Sequence, residues 1–249
     1  MIRAIYRHEL LGVFRTPVAW MLLGFSAGLI AFQFLSQLDF YLTIANKLKS
    51  LEEPPGVTSL IVTPLITFSA MLLIFLVPIV TMASINGERR TGTLQLVASS
   101  PVSMGSLVAA KFLSYVTLFL ALWVILATMV LSLFWGTTLD LGLCAGGLLA
   151  LCLYTASAVS VGIAVSALVR HPPAAGALSL VVLLFLWFCD WASRTTGEAN
   201  LFTWLSAERH FTRIANGLFD SFDVAYFFVI TFFALGLAYW RLANERYLG

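Results

Sequence analysis

The chain has 249 residues, of which 60% are hydrophobic and 10% charged, with a formal net charge of +2. A soluble domain of this size cannot cover its surface with so little charge, so the composition excludes a water-soluble enzyme and points to an integral membrane protein. No internal repeat, low-complexity tract or soluble domain interrupts the pattern, and the expected fold is all-α: a single polytopic membrane domain over residues 1–249.

Residues 1–16 place Ile2, Ile5, Tyr6, Leu10, Val13 and Phe14 at helical spacing, with Arg3, Arg7 and Arg15 largely away from them. This is the pattern of an amphipathic helix on the membrane surface. Six apolar runs follow, at 17–35, 64–85, 107–133, 141–169, 174–189 and 224–240. Each approaches or exceeds the roughly 20 residues that cross the hydrocarbon. The third and fourth are long enough to tilt. The fifth stops short before Asp190 and reads as a span that breaks or re-enters near the outer face. The first run follows a basic start but lacks a small-x-small cleavage site just after it, so it is read as a retained span.

Between the first two runs, residues 36–63 read as an external loop, its first half a short surface helix ended by Pro54-Pro55-Gly56. His171-Pro172-Pro173 is a tight turn between spans four and five. The 190–223 segment reads as external and amphipathic. Phe211, Ile214, Ala215, Leu218 and Phe222 fall on one helical face, and Arg209, His210, Arg213, Asn216 and Asp220 on the other. Phe202 and Trp204 beside it form an interfacial aromatic cluster.

Charge sets the orientation. Arg3, Arg7, Arg15, Arg89, Arg90, Lys111, Arg170, Arg241 and Arg246 fall on one side of this arrangement, with only Glu9, Glu88 and Glu245 among the acids. Lys47, Lys49, Arg194, Arg209 and Arg213 fall on the other, with the remaining acids. The basic side is therefore expected to be cytoplasmic, with both termini inside.

Several chemistries lack their residues. No G-x-x-x-x-G-K-[ST] occurs, so the chain carries no P-loop of its own. His8, His171 and His210 lie in separate segments without metal-ligand spacing, and Cys144, Cys152 and Cys189 form no C-x-x-C pair. No metal or cofactor is expected on this chain, no catalytic residue and no nucleic-acid partner. The span interiors are almost free of charge, which disfavours an ion-coupled carrier. Energy for any transport then arrives from outside the bilayer.

The 86–104 insert is the exception to this apolar pattern. Glu88, Arg89 and Arg90 precede Thr91-Gly92-Thr93, a helix start with Thr91 or Thr93 as cap. Leu94, Leu96 and Val97 give a short apolar side, and Pro101 closes the segment. The insert reads either as an ordinary charged cytoplasmic loop or as a rigid handle for a soluble partner. Just upstream, Pro78 removes a backbone hydrogen bond and is expected to kink the second span, while Thr81 can bond back to a carbonyl one turn earlier.

The pattern Glu88-Arg89-Arg90-x-Gly92-Thr93-Leu94, then Ser100-Pro101-Val102-Ser103 and Lys111-Phe112, resembles the signature of ABC-2-type permease subunits. Phe75-Leu76-Val77-Pro78-Ile79-Val80-Thr81-Met82 is similar to the subgroup associated with gliding motility and nitrous-oxide-reductase maturation. So is His210-Phe211-x-x-Ile214-x-x-Gly217-x-x-Asp220-x-x-Asp223-Val224-x-Tyr226-Phe227. Gln95 departs from the pattern, since many relatives carry an acid there.

The resemblance implies a six-span, type V exporter-like fold in the bacterial cytoplasmic (inner) membrane. It implies a dimer of permeases on a separate P-loop ATPase that holds ATP and Mg. It makes 86–104 the coupling helix, with Glu88, Arg89, Arg90, Gly92, Thr93, Leu94 and Leu96 as contact residues. Phe68, Met71, Leu72 and Phe75 become candidates for the pathway or gate, or for the dimer seam. The charge-free spans favour a lipid-like or amphipathic cargo over a small ion. A periplasmic or accessory membrane subunit is compatible with this reading. So is the alternative of a non-transporting scaffold that passes ATPase motion to an extracytoplasmic machine.

Overall fold

The computed structural model describes residues 2–48, 56–91, 103–137, 139–190 and 201–248. All regular structure among them is helical: α1 (Ile2–Arg15), α2 (Pro17–Leu48), α3 (Thr63–Thr81), α4 (Asn86–Thr91), α5 (Met104–Ser132), α6 (Leu141–Leu168), α7 (Pro172–Phe188), α8 (Leu201–Leu205), α9 (Ala207–Ala215) and α10 (Ser221–Leu248). A π-helical turn, Thr58–Val62, leads into α3.

Five of these helices are long and apolar enough to cross a membrane: α2, α3 with its π turn, α5, α6 and α10. The chain is thus a multi-pass membrane protein. The sixth apolar helix, α7, has 17 residues. At 1.5 Å per residue it extends about 25 Å, a little less than the roughly 30 Å hydrocarbon.

Helix limits follow local chemistry. Asp140 caps α6, its carboxylate accepting from Gly142 N at 2.8 Å and Leu143 N at 3.3 Å. Ser103 caps α5 by accepting from Ser106 N at 3.3 Å. Pro172 opens α7 at its first turn, where a missing N–H costs nothing.

Two expectations are corrected. Residues 36–48 do not form a separate surface helix; α2 runs on through them. No Gly or Pro lies between Leu35 and Leu48 to stop it. The 207–222 stretch is not one amphipathic helix either. α9 ends at Ala215 with Asn216 as its cap, and Gly217 takes φ 79°. Gly217 N donates to Ile214 O at 3.0 Å and Leu218 N to Arg213 O at 2.9 Å, a Schellman stop. Leu218 and Phe222 therefore leave the face of Phe211, Ile214 and Ala215. The first two are exposed and the last three buried.

α6 is the axis of the molecule. It packs against α3, α5, α7, α9 and α10. In lipid there is little hydrophobic drive between helices, so close approach through small residues takes its place. A side chain at Gly147 would collide with Ile66 of α3, and one at Gly162 with Thr81. Many buried hydroxyls bond to a carbonyl of their own helix, while those of Ser84, Tyr154 and Ser179 have no partner among the described residues. Thr155 donates to Leu151 O at 2.6 Å and accepts from Trp123 Nε1 at 2.9 Å.

Candidate functional site

The most connected polar region lies where α3 turns into α4. α3 continues through Pro78 and leaves the helix one turn later, at Thr81. Thr81 Oγ1 donates to Val77 O at 2.8 Å. This is the predicted back-bond, and it lies directly over Gly162. Met82 N donates to Pro78 O at 3.0 Å and closes the turn. Met82 also sits on Gly176 of α7, where a Cβ would come within 3.3 Å of it.

Ser166, in the last turn of α6, clamps this elbow. Its Oγ donates to Met82 O at 3.2 Å and accepts from Ile85 N at 3.3 Å. Asn86 is fully buried and donates from Nδ2 to Met82 O at 3.3 Å.

Arg89 ties the elbow to two other helices. Its Nη2 donates to Ala167 O at 2.7 Å and to both Glu245 oxygens at 2.8 and 2.9 Å. Its Nη1 reaches Asn86 Oδ1 and Val169 O, each at 3.4 Å. Ala167 and Val169 belong to the carbonyl end of α6, where unpaired C=O groups and the helix dipole attract a cation. Glu245 lies near the end of α10 and also meets Arg241 at 3.4 Å. One guanidinium therefore joins α4, α6 and α10.

The other predicted contact residues are placed as follows. Glu88, Arg90 and Thr91 lie inside α4. Thr91 is its last residue, and the helix expected to start at Thr91 or Thr93 runs into residues outside those described. Gly92, Thr93, Leu94 and Leu96 fall outside the described residues.

Phe68, Met71, Leu72 and Phe75 do share one face of α3. Met71 and Phe75 are exposed, Phe68 and Leu72 half-buried, and exposed Ile79 extends the stripe. The opposite face, with Leu65, Ser69, Leu73 and Val77, is fully buried.

Two pairs escaped the sequence reading. On α1, the face formed by Ile5, Tyr6 and Val13 packs on α5, with Tyr6 Oη 2.9 Å from Thr117 Oγ1. Glu9 lies on that same apolar face and accepts from Lys111 Nζ at 3.0 Å. The available signal was an acid on an apolar stripe and a lone lysine inside an apolar run.

At the opposite end, His210 was placed on the polar face but is buried. Its Nδ1 lies 2.6 Å from Asp223 Oδ1 and its Nε2 3.1 Å from Trp204 O. Its ring stacks on Tyr226 at 4.2 Å between centroids. Arg213 Nε approaches Asp223 Oδ2 at 3.2 Å, a charge contact rather than an aligned hydrogen bond. Tyr226 donates to Leu205 O at 2.6 Å. The motif running from His210 to Phe227 thus folds α9 back onto the start of α10.

Among the described residues, no three His, Cys, Asp or Glu side chains gather as metal ligands. The polar contacts described above fasten helix ends to one another. A family model described as ABC-2 family transporter protein matches residues 3–245. No curated protein matches the chain.

Proposed function

The chain belongs to the ABC-2 family of transporter proteins, and on that premise we propose that it is the permease subunit of an ATP-driven exporter in a bacterial cytoplasmic membrane. Members of this family are transmembrane permease components that pair with an ATPase subunit. In the proposed arrangement α7 is the sixth, short span, and both termini lie in the cytoplasm with α4. The partner ATPase holds ATP and Mg, and two copies of this chain form the transport unit.

The observation that carries this reading is the Arg89 junction. A handle that transmits force must be stiff where it joins the membrane helices. Here α4 follows α3 through a turn clamped by Ser166 and is bonded to the ends of α6 and α10 by Arg89. A push on α4 then moves α3, α6 and α10 as one body, which is rigid-body rocking rather than local bending. Glu88 and Arg90, on the same short helix, together with the residues after it, supply the docking contacts. Arg89 faces inward and transmits. The Phe68–Met71–Leu72–Phe75 face of α3 is the seam or pathway wall between the two copies.

The test is co-purification of a P-loop ATPase with the tagged protein in mild detergent, comparing wild type with Glu88→Ala and Arg90→Ala. Loss of the ATPase from folded variants supports docking through α4. No ATPase under any condition overturns the proposal.

A further inference from the structure

α1 uses its two faces differently. Ile5, Tyr6, Glu9 and Val13 lie toward α5, where Tyr6 meets Thr117 and Glu9 meets Lys111. Arg3, Arg7 and Arg15 are exposed on the other face, with exposed Leu11 between them. Four-residue steps drift by about 40° on a 3.6-residue turn, so the three arginines share about a third of the helix circumference. Glu9 is the one acid of α1, and it is bonded on the covered side, away from them. No side chain among the described residues pairs with Arg3, Arg7 or Arg15. Like charges four residues apart destabilise a helix, so Arg3 and Arg7 without an acid beside them call for an anion from outside the chain.

The stripe stands beside the membrane. α5 is one of the five helices able to cross it, and α1 is bonded to it at Lys111 and Thr117. At the corner between α1 and α2, Trp20 is 60% exposed while its indole N–H donates to Phe14 O at 2.7 Å. An exposed indole with its N–H satisfied, next to exposed Val18 and Met21, is an amphipathic anchor of the kind found where hydrocarbon meets headgroups. The apolar face of α1 is already covered by α5, so the helix does not sink that face into lipid as a free amphipathic helix does. It meets the membrane surface through its arginines instead.

We propose that the Arg3–Arg7–Arg15 face of α1 binds the anionic phospholipid headgroups of the leaflet beside it. A guanidinium pairs with phosphate oxygens through two parallel N–H bonds, and it does so better than an ammonium. A zwitterionic head brings its own ammonium toward three cations, whereas the head of phosphatidylglycerol brings none. Lipid charge thus holds α1 against the leaflet, and the Tyr6–Thr117 and Glu9–Lys111 contacts pass that hold to α5. Arg170, exposed between α6 and α7 and likewise without a partner among the described residues, stands apart from the stripe and gives the comparison. This inference requires only that the chain lies in a membrane, and it stands or falls independently of ATPase docking.

The experiment is native mass spectrometry of the full chain in detergent, titrated separately with phosphatidylglycerol, phosphatidylcholine and tail-less glycerophosphoglycerol. Wild type is expected to retain phosphatidylglycerol more tightly than phosphatidylcholine, by about fivefold for each guanidinium that reaches the head. The triple variant Arg3→Gln, Arg7→Gln, Arg15→Gln is expected to hold the two lipids equally. Arg170→Gln is expected to keep the wild-type preference.

Equal binding of the two lipids by wild type overturns the anionic assignment. A preference undiminished in the folded triple variant, or lost as fully in Arg170→Gln, overturns the stripe. Glycerophosphoglycerol binding as tightly as the lipid overturns the membrane surface in favour of a soluble phosphate ligand. Should the triple variant fail to fold, Arg7→Gln alone decides the matter, with a loss of about fivefold expected and no loss overturning the proposal.

Discussion

Replacing Arg89 by Met removes the guanidinium while keeping most of the stem, and its cost follows from the contacts. The two bonds at 3.4 Å are long and contribute little. The contacts at 2.7 Å to Ala167 O and 2.8 Å to Glu245 are charge-assisted and carry the interaction. Removing one partner of a fully buried pair costs about 3–5 kcal/mol. Here the side chains keep 14% and 28% of their exposure, and Glu245 retains Arg241 at 3.4 Å. Water and Arg241 recover part of the loss, leaving roughly 2 kcal/mol.

For a chain of this length, each kcal/mol moves the melting point by about 2–4 °C, so Arg89→Met is expected to lower it by about 4–8 °C. Thermal unfolding of the purified chain in detergent, without any ATPase, measures this directly. Glu245→Gln and the double variant complete a cycle with an expected coupling of about 1 kcal/mol. An unchanged melting point in Arg89→Met, or strict additivity in the cycle, refutes Arg89 as the junction between α4, α6 and α10.

Gly162→Val forces a side chain into Thr81 and separates α3 from α6 at the elbow. Overpacking of this kind costs about 1–3 kcal/mol, so a melting-point loss of several degrees is expected, larger than that of Gly236→Val on the same assay. No atom outside its own helix lies within 4 Å of a Cβ at Gly236. His210→Ala leaves Asp223 buried with only the Arg213 charge contact. A destabilisation of about 3 kcal/mol is expected by thermal unfolding, and an equal effect of Arg209→Ala would show that the buried pair is unimportant. Cysteines placed singly at Met71 and Phe75 are expected to cross-link two copies in native membranes if this face of α3 is the seam. Cysteine at Phe232, on the exposed side of α10, serves as the control. Cross-linking through Phe232 alone moves the seam to α10.

The two ends of the bundle were legible to different degrees. The motif from His210 to Phe227 named the residues that meet at one end. Its spacing did not show that Gly217 would stop the helix and bury His210 against Asp223. At the other end, Glu88, Arg89 and Arg90 stood out as charge in an apolar chain. Only the fold shows that Arg89 reaches Glu245 and the end of α6. The alignment of Phe68, Met71, Leu72 and Phe75 on one helical face follows from periodicity alone. That the opposite face is the one seated on α6 does not.

Length and composition by themselves determined that the chain lies in a membrane, where its apolar helices begin within a few residues, and that Pro78 and Thr81 come just before a charged insert. These are local properties: an apolar run of sufficient length must be helical in lipid, because its backbone has no other hydrogen-bond partner. Which run is central was not local. α2 and α6 are both long and apolar, yet α6 is the most buried of the five candidate spans and α2 the least. In water the buried face of a helix is marked by the change from apolar to polar. In hydrocarbon both faces are apolar and the mark is erased. The pairs that hold the ends together, Arg89 with Glu245 and Glu9 with Lys111, join positions more than a hundred residues apart. Their meeting is set by the small residues along α6 and by the way α1 folds back on α5, which only the tertiary structure decides.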